Sequence, residues 1–382
     1  MRIGFDIRPL VEQKITGVGE YAKWFLLQLL KDNPKDHFVL FYNSFKSTKT
    51  DLTWLEKYKN VEIKRYRFPN KLFNFSIWFL KRPKLDILLG GVDVFFAPNI
   101  SFLALSKKCL LVLTMHDLSF ERFPEFFSFK KRLWHFIVNP RKICQRADKL
   151  LAVSSSTRDD LVSIYGIDKK KIKTIIPIKT LDYFLNNSSK KDKIKVAREK
   201  YSLSTDYLFY LGTIEPRKNL VNLILAYELV RNQEVNLNLK LVLAGRLGWK
   251  YGKILDCAKK SKYSQDIIFL DYVQDSDKIG LYAGARIFIF PSFFEGFGFP
   301  VAEAMASGVP VITANNSSLS EVAGKAAILI DAYSVEEISQ SIKLILDNQF
   351  LSKKYIAQGR KRGGKIALMA KKSIRIKDLF VL

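Results

Sequence analysis

Residues 287–313 read IFIFPSFFEGFGFPVAEAMASGVPVIT, and no other stretch constrains the fold as much. Ile287 to Phe290 is an apolar run short enough for a buried strand. Pro291 ends it, and a loop from Ser292 to Phe299 follows, with glycines at 296 and 298. Pro300 suits the first position of a helix, where its missing N–H is not needed. That helix is predicted through Met305, with Gly308 as its stop. A second buried strand, Val309 to Ile312, completes a strand–loop–helix–strand unit of an α/β domain.

The loop has chemical as well as structural content. Glycines let a backbone approach a ligand closely. A helix N-terminus offers unpaired N–H groups and partial positive charge to an anion such as phosphate. Two carboxylates, Glu295 and Glu303, bracket the loop with seven residues between them. Carboxylates accept hydrogen bonds from the vicinal hydroxyls of ribose or a hexose. The spacing therefore offers two sugar clamps around a phosphate cradle of Gly296, Phe297, Gly298 and Phe299. The alternative is a surface loop in which one glutamate steadies its own helix N-terminus.

The same alternation recurs elsewhere. Ile3 to Ile7 reads as a strand and Tyr21 to Leu30 as a helix, with Gly17 and Gly19 at its start, a second place for a phosphate or sugar. Phe38 to Tyr42 is the next strand. Val92 to Asn99 and Leu110 to Asp117 follow, each ending in polar residues. Strand C-termini are where open α/β sheets bind ligands, and His116 lies at one of them. From Lys169 to Thr205 the chain is polar and lysine-rich, which places a domain boundary near 178–190. A new α/β pattern opens at Tyr207 to Leu211. Arg217 and Lys218 then sit between that strand and a helix from Leu220, a potential anion site. A final helix is expected from Val335 to Leu346, and Gly363 and Gly364 weaken any helix beyond it.

A chain of 382 residues with 48% hydrophobic content is comfortable as two domains and is not disordered. Its three cysteines are scattered without metal-like spacing, which fits a reducing compartment. The first residues lack the pattern of a secretory signal, and no run is long and apolar enough to span a bilayer. The net charge of +26 implies an anionic partner: lipid headgroups, nucleic acid or a phosphorylated substrate. Lysine-rich composition alone is the other explanation. Basic residues interleave with aromatics over Lys64 to Lys84 and again over Phe126 to Trp134, as at a membrane interface. No aromatic RNA-binding motif or KH element is present, which argues against a nucleic-acid-binding protein.

The segment EGFGFPVAE at 295–303, continued by AMASGVPV, resembles the signature of the retaining, nucleotide-sugar-dependent glycosyltransferases of family 4, also called group 1. The resemblance implies the GT-B fold: an α/β chain of two Rossmann-like, doubly wound domains facing across a cleft. Here these would be residues 1–180 for the acceptor and 181–348 for the nucleotide sugar. A tail, 349–382, lacks the family's usual Trp and is expected to pack back on the first domain. By the same resemblance the glycine loop at Gly17 and Gly19 borders the cleft, and His116 approaches the donor sugar. Lys218 contacts the donor diphosphate with Arg217 beside it, in a chain that has Thr213 where many relatives have arginine. Glu295 holds sugar hydroxyls, and Glu303 the nucleotide ribose.

The implied activity is transfer of a hexose; the 116–125 segment resembles mannosyl- and rhamnosyltransferases of surface polysaccharide assembly, with GDP-mannose the preferred donor. The acceptor would be a glycan or lipid-linked glycan of cell-surface polysaccharide. The implied location is cytoplasmic, peripheral on the inner face of the membrane. No Asp-rich triplet is evident, so no metal and no cofactor beyond the donor is expected. A GT-B phosphorylase or a sugar epimerase is the alternative enzyme class.

Overall fold

The computed structural model describes residues 1–11, 17–45, 50–177, 181–186, 190–234, 237–370, 375–376 and 379. Thr16, residues 178–180 and 187–189 of the expected boundary at 178–190, and Lys371 and Lys372 lie outside the described residues. The chain divides into two compact units. The first comprises 1–120, 129–177 and 370–382, and the second 121–128 and 178–369. Of the expected tail, 349–369 falls with the second unit, and the described residues from Ala370 onward fall with the first.

In the first unit seven parallel strands form one sheet. They are β1 (Arg2–Asp6), β2 (His37–Asn43), β3 (Val61–Tyr66), β4 (Val94–Ala97), β5 (Leu110–Met115), β6 (Lys149–Ala152) and β7 (Ile172–Thr174). Their order across the sheet is β3-β2-β1-β4-β5-β6-β7. The chain moves outward from β1 to β3 and then returns to lay β4 on the other side of β1. Helices cover both faces of such a sheet, so its inner strands are apolar throughout. Phe5, Val39, Phe41, Phe95, Leu111 and Leu113 are accordingly buried.

The second unit repeats this winding with six strands in the order β10-β9-β8-β11-β12-β13. These are β8 (Asp206–Leu211), β9 (Leu239–Ala244), β10 (Ile267–Leu270), β11 (Ile287–Phe290), β12 (Val311–Ala314) and β13 (Ile328–Ile330). The strand expected at Val309 to Ile312 begins two residues later, because Pro310 cannot donate to the ladder. Strand order reverses between β8 and β11, and the loops leaving those two strands carry Arg217, Lys218 and Glu295. That is the crevice in which doubly wound sheets take ligands.

Two sequence expectations need correction. The lysine-rich stretch before residue 205 is not all linker: Lys190–Lys200 is a helix packed on the helix Asp275–Gly284. It carries almost no apolar stripe and docks by close approach. A Cβ at Gly280 would lie 2.2 Å from the Lys193 carbonyl oxygen, so glycine there is what admits the helix. Nor do Gly363 and Gly364 interrupt the end of the second unit. A helix of 22 residues, Gln349–Ala370, runs straight through them. A Cβ on Gly363 would lie 3.2 Å from Ala306, so this glycine lets the helix approach Phe299–Ser307. The intrinsic helix cost of glycine is under about 1 kcal/mol and is offset by that packing.

Candidate active site

In the second unit the helix Phe299–Ser307 starts where the sequence predicts, with Pro300 in its first turn, and ends at Gly308 in the left-handed region (φ 77°). Gly298 precedes it at φ 105°, a conformation that strains any residue with a Cβ. The loop between β11 and this helix is pinned from behind. The Ser318 hydroxyl lies 2.8 Å from both the Glu295 and Phe297 carbonyl oxygens, and the Glu295 N–H donates to Ser317 Oγ. Gly296, Phe297 and Gly298 are buried in that loop, and the Phe297 and Phe299 rings lie 5.3 Å apart.

The facing loop leaves β8. Its last residue, Asn219, is left-handed (φ 59°), and its amide donates to the Pro291 and Ala332 carbonyls at 3.1 and 2.6 Å. This joins the two loops. Lys218 Nζ donates to Glu295 Oε1 at 2.5 Å, and Arg217 Nη1 donates to Glu295 Oε2 at 3.0 Å and to the Phe294 carbonyl at 2.7 Å. The opposite edge of Arg217 is held by Glu215, whose Oε1 accepts from Nε and Nη2. All of these side chains are largely buried. Burial raises the Glu295 carboxyl, but Arg217 and Lys218 more than reverse that and bring it down to about 2. Glu295 is therefore an anion already seated between the two cations.

Glu303 lies one turn into the helix, in a different setting. Its Oε2 accepts a hydrogen bond of 3.0 Å from the buried Tyr282 hydroxyl. Burial raises its carboxyl, while the nearby Lys278 charge and the Tyr282 bond pull the other way. The two glutamates seven residues apart thus occupy distinct sites: one neutralised by two cations, the other weakly held at the edge of the helix.

The remaining predicted residues belong to the first unit. His116 follows β5 directly. Its Nε2 lies 2.9 Å from the Pro98 carbonyl, which follows β4, so Nε2 carries the proton. Burial lowers its pKa, with the Pro98 bond opposing, so the imidazole is neutral near pH 7. The Tyr21 ring stands edge-on to it, centroids 4.8 Å apart, and Tyr21 bonds Thr114. Tyr21 lies on the helix Gly17–Asp32, which places the Gly17 and Gly19 turn and His116 on ends of neighbouring elements. A Cβ at Gly17 would meet nothing within 4 Å, so this glycine is not required by packing.

The sequence reading missed Glu215, Asn219, Ser318 and Tyr282. Only Asn219 carried a signal, since asparagine before a helix tolerates a left-handed backbone. It also missed how residues 121–128 pack within the second unit. The Phe126 ring stacks on Phe293 at 5.4 Å, the Phe123 ring lies 5.7 Å from Phe294, and Trp249 Nε1 donates to the Phe126 carbonyl. This strap therefore borders the residue next to Glu295.

Comparison with known proteins places these features in context. Residues 29–177 match the model of Glycosyltransferase Family 4, and residues 191–362 match that of Glycosyl transferases group 1. The chain is 34% identical over 360 residues to O-antigen chain mannosyltransferase B of Escherichia coli, covering 90% of each protein. It is 30% identical over 216 residues to the serotype-specific mannosyltransferase WbdA of Escherichia coli, which covers 56% of this chain but 26% of that larger protein. Among solved structures it resembles Anabaena HepE in complex with UDP and glucose, with a TM-score of 0.72 over 97% of both chains at 18% identity.

Proposed function

The chain belongs to the group 1, family 4 glycosyltransferases and has their GT-B architecture, and on that premise we propose that it transfers mannose from GDP-mannose to a growing cell-surface glycan with retention of configuration. The observation that carries the donor site is the Lys218–Glu295–Arg217 cluster at the strand-order reversal between β8 and β11. The mannosyl assignment is supported by the relative that aligns along 90% of this chain.

Breaking the bond from sugar to nucleotide leaves negative charge on the departing diphosphate. Lys218 and the N–H groups at the start of the helix Phe299–Ser307 supply fixed positive charge to meet it. Such preorganised donors stabilise a transition state by about 3–4 kcal/mol each. Glu295 then has two tasks, holding sugar hydroxyls and keeping the cations neutralised when the site is empty. Glu303, with Oε1 unbonded among the described residues, accepts from the ribose. His116 is neutral, with Nε2 donating to the Pro98 carbonyl and Nδ1 left as an acceptor, and its role toward the sugar rests on the family resemblance. A glycosidase-like pair of nucleophile and acid is not assigned, because both glutamates have donor-binding roles. Incubation with a panel of nucleotide sugars tests the assignment: GDP release from GDP-mannose is expected, and turnover of a different donor would reassign the sugar.

The acceptor side of the proposal is a lipid-linked glycan met at an anionic membrane. No described helix is long and apolar enough to cross one. Instead, the first unit exposes large apolar side chains on short elements. Leu72, Phe75, Phe79 and Leu80 are 53–68% exposed, and Phe129 and Phe136 are 79% and 82% exposed. Phe73 and Ile77 anchor the first of these segments in the core. Burial, and after it the like charges of Lys142 and Lys84, lower the pKa of the Lys81 ammonium. Each basic residue near an anionic leaflet contributes about 1 kcal/mol. Replacing Lys81, Arg82 and Lys84 by glutamate should release the protein from anionic liposomes in a sedimentation assay. Retained binding, or equal binding to neutral vesicles, would assign the charge another purpose.

A further inference from the structure

Glu303 is held by a single side-chain hydrogen bond among the described residues, and that bond comes from a neighbouring helix. Tyr282 lies on Asp275–Gly284 with its ring fully buried against Phe209, Phe288 and Phe184. The aromatic cluster fixes where its hydroxyl points, and the hydroxyl donates to Glu303 Oε2 at 3.0 Å. One turn earlier on the same helix, Lys278 is paired with Asp275 at 2.6 Å and lends positive charge to Glu303. A carboxylate has four lone-pair positions on two oxygens, so one anchored oxygen leaves the other correctly aimed for a ligand hydroxyl.

We infer that Tyr282 is a positioning residue that aims Glu303 at the vicinal hydroxyls of the donor's ribose, with Lys278 one turn earlier favouring the charged carboxylate, so that recognition of a ribonucleoside diphosphate depends on this second helix. The inference rests on the reading of Glu303 as the ribose clamp and adds the residues through which it acts. Neither Tyr282 nor Lys278 touches the substrate. Their effect should appear only when there is a ribose hydroxyl for Glu303 to bind, which separates aiming from a general loss of structure.

Calorimetry with GDP and with 2′,3′-dideoxy-GDP reads this directly. The wild-type protein should prefer GDP by about tenfold or more, the scale of a hydrogen bond to a charged acceptor. Tyr282→Phe keeps the buried ring and removes only the hydroxyl. It should lose most of that preference by binding GDP more weakly while binding the dideoxy form as before. Lys278→Met, a change at a partly exposed position, should shift the preference the same way and carries the test if Tyr282→Phe does not fold. A purely structural role would lower the melting temperature and leave the preference intact in both variants, and that result overturns the inference alone. No preference in the wild type, or no GDP binding, would overturn the reading of the donor site and the inference with it.

Discussion

Replacing Lys218 with alanine is expected to weaken binding of the free nucleoside diphosphate by roughly ten- to a hundredfold, the effect of losing a charge-assisted hydrogen bond of about 1.5–3 kcal/mol. Lys218 is only 8% exposed and lies just before the helix that begins at Leu220, where little water competes for its ammonium. Its partner Glu295 retains Arg217, so the variant still folds around a neutralised carboxylate. Arg217 does not replace the missing charge. Its Nε edge is committed to Glu215 and its Nη1 to Glu295 and the Phe294 carbonyl, so it serves to tie the two loops together. Isothermal titration with GDP is the measurement, and unchanged affinity would remove Lys218 from the diphosphate site.

Glu295→Gln is expected to act in the opposite sense on the nucleotide. The glutamine removes the resident anion from between two cations, so GDP should bind up to about tenfold more tightly. Transfer should nevertheless fall roughly a hundredfold or more, because the sugar loses the group that orients it. Folding stability should drop by about 3–5 kcal/mol in denaturant titrations, since breaking a buried pair leaves charge uncompensated. The pH dependence has a definite sign. The Glu295 carboxyl is lowered from its ordinary 4.5 to about 2, so its stabilising contribution is present above 4.5 and lost as pH falls toward 2. The glutamine variant should lack that part of acid unfolding. Weaker GDP binding by Glu295→Gln would mean that the carboxylate holds Lys218 in place for the phosphate and does not compete with it.

Much of this fold is legible in the residues because parallel strands buried on both faces must be apolar along their length. Ile287–Phe290 and Leu239–Ala244 announce themselves in that way, and the turn chemistry of Pro300 and Gly308 fixes the helix between β11 and β12. The helix Lys190–Lys200 was not legible. Its docking depends on a glycine 87 positions after Lys193, at Gly280, and leaves no periodic apolar stripe. The same limit applies to the site. The glutamate spacing, the Arg217–Lys218 pair and His116 can be found locally. That Glu295 already pairs with both cations, which lie 77 and 78 residues earlier, is a property of the winding of the sheet. Tyr282 was hidden for a related reason: a tyrosine in an aromatic-rich stretch reads as core, and it is core except for its hydroxyl.

The stereochemical course of transfer is the most direct test of a retaining mannosyl donor site. Proton NMR of purified protein with GDP-α-mannose and a mannose-terminated acceptor should show GDP release together with a new α-linked mannose. It should also show that release strongly reduced in Glu295→Gln. A β-linked product, or release that does not depend on Glu295, would contradict it.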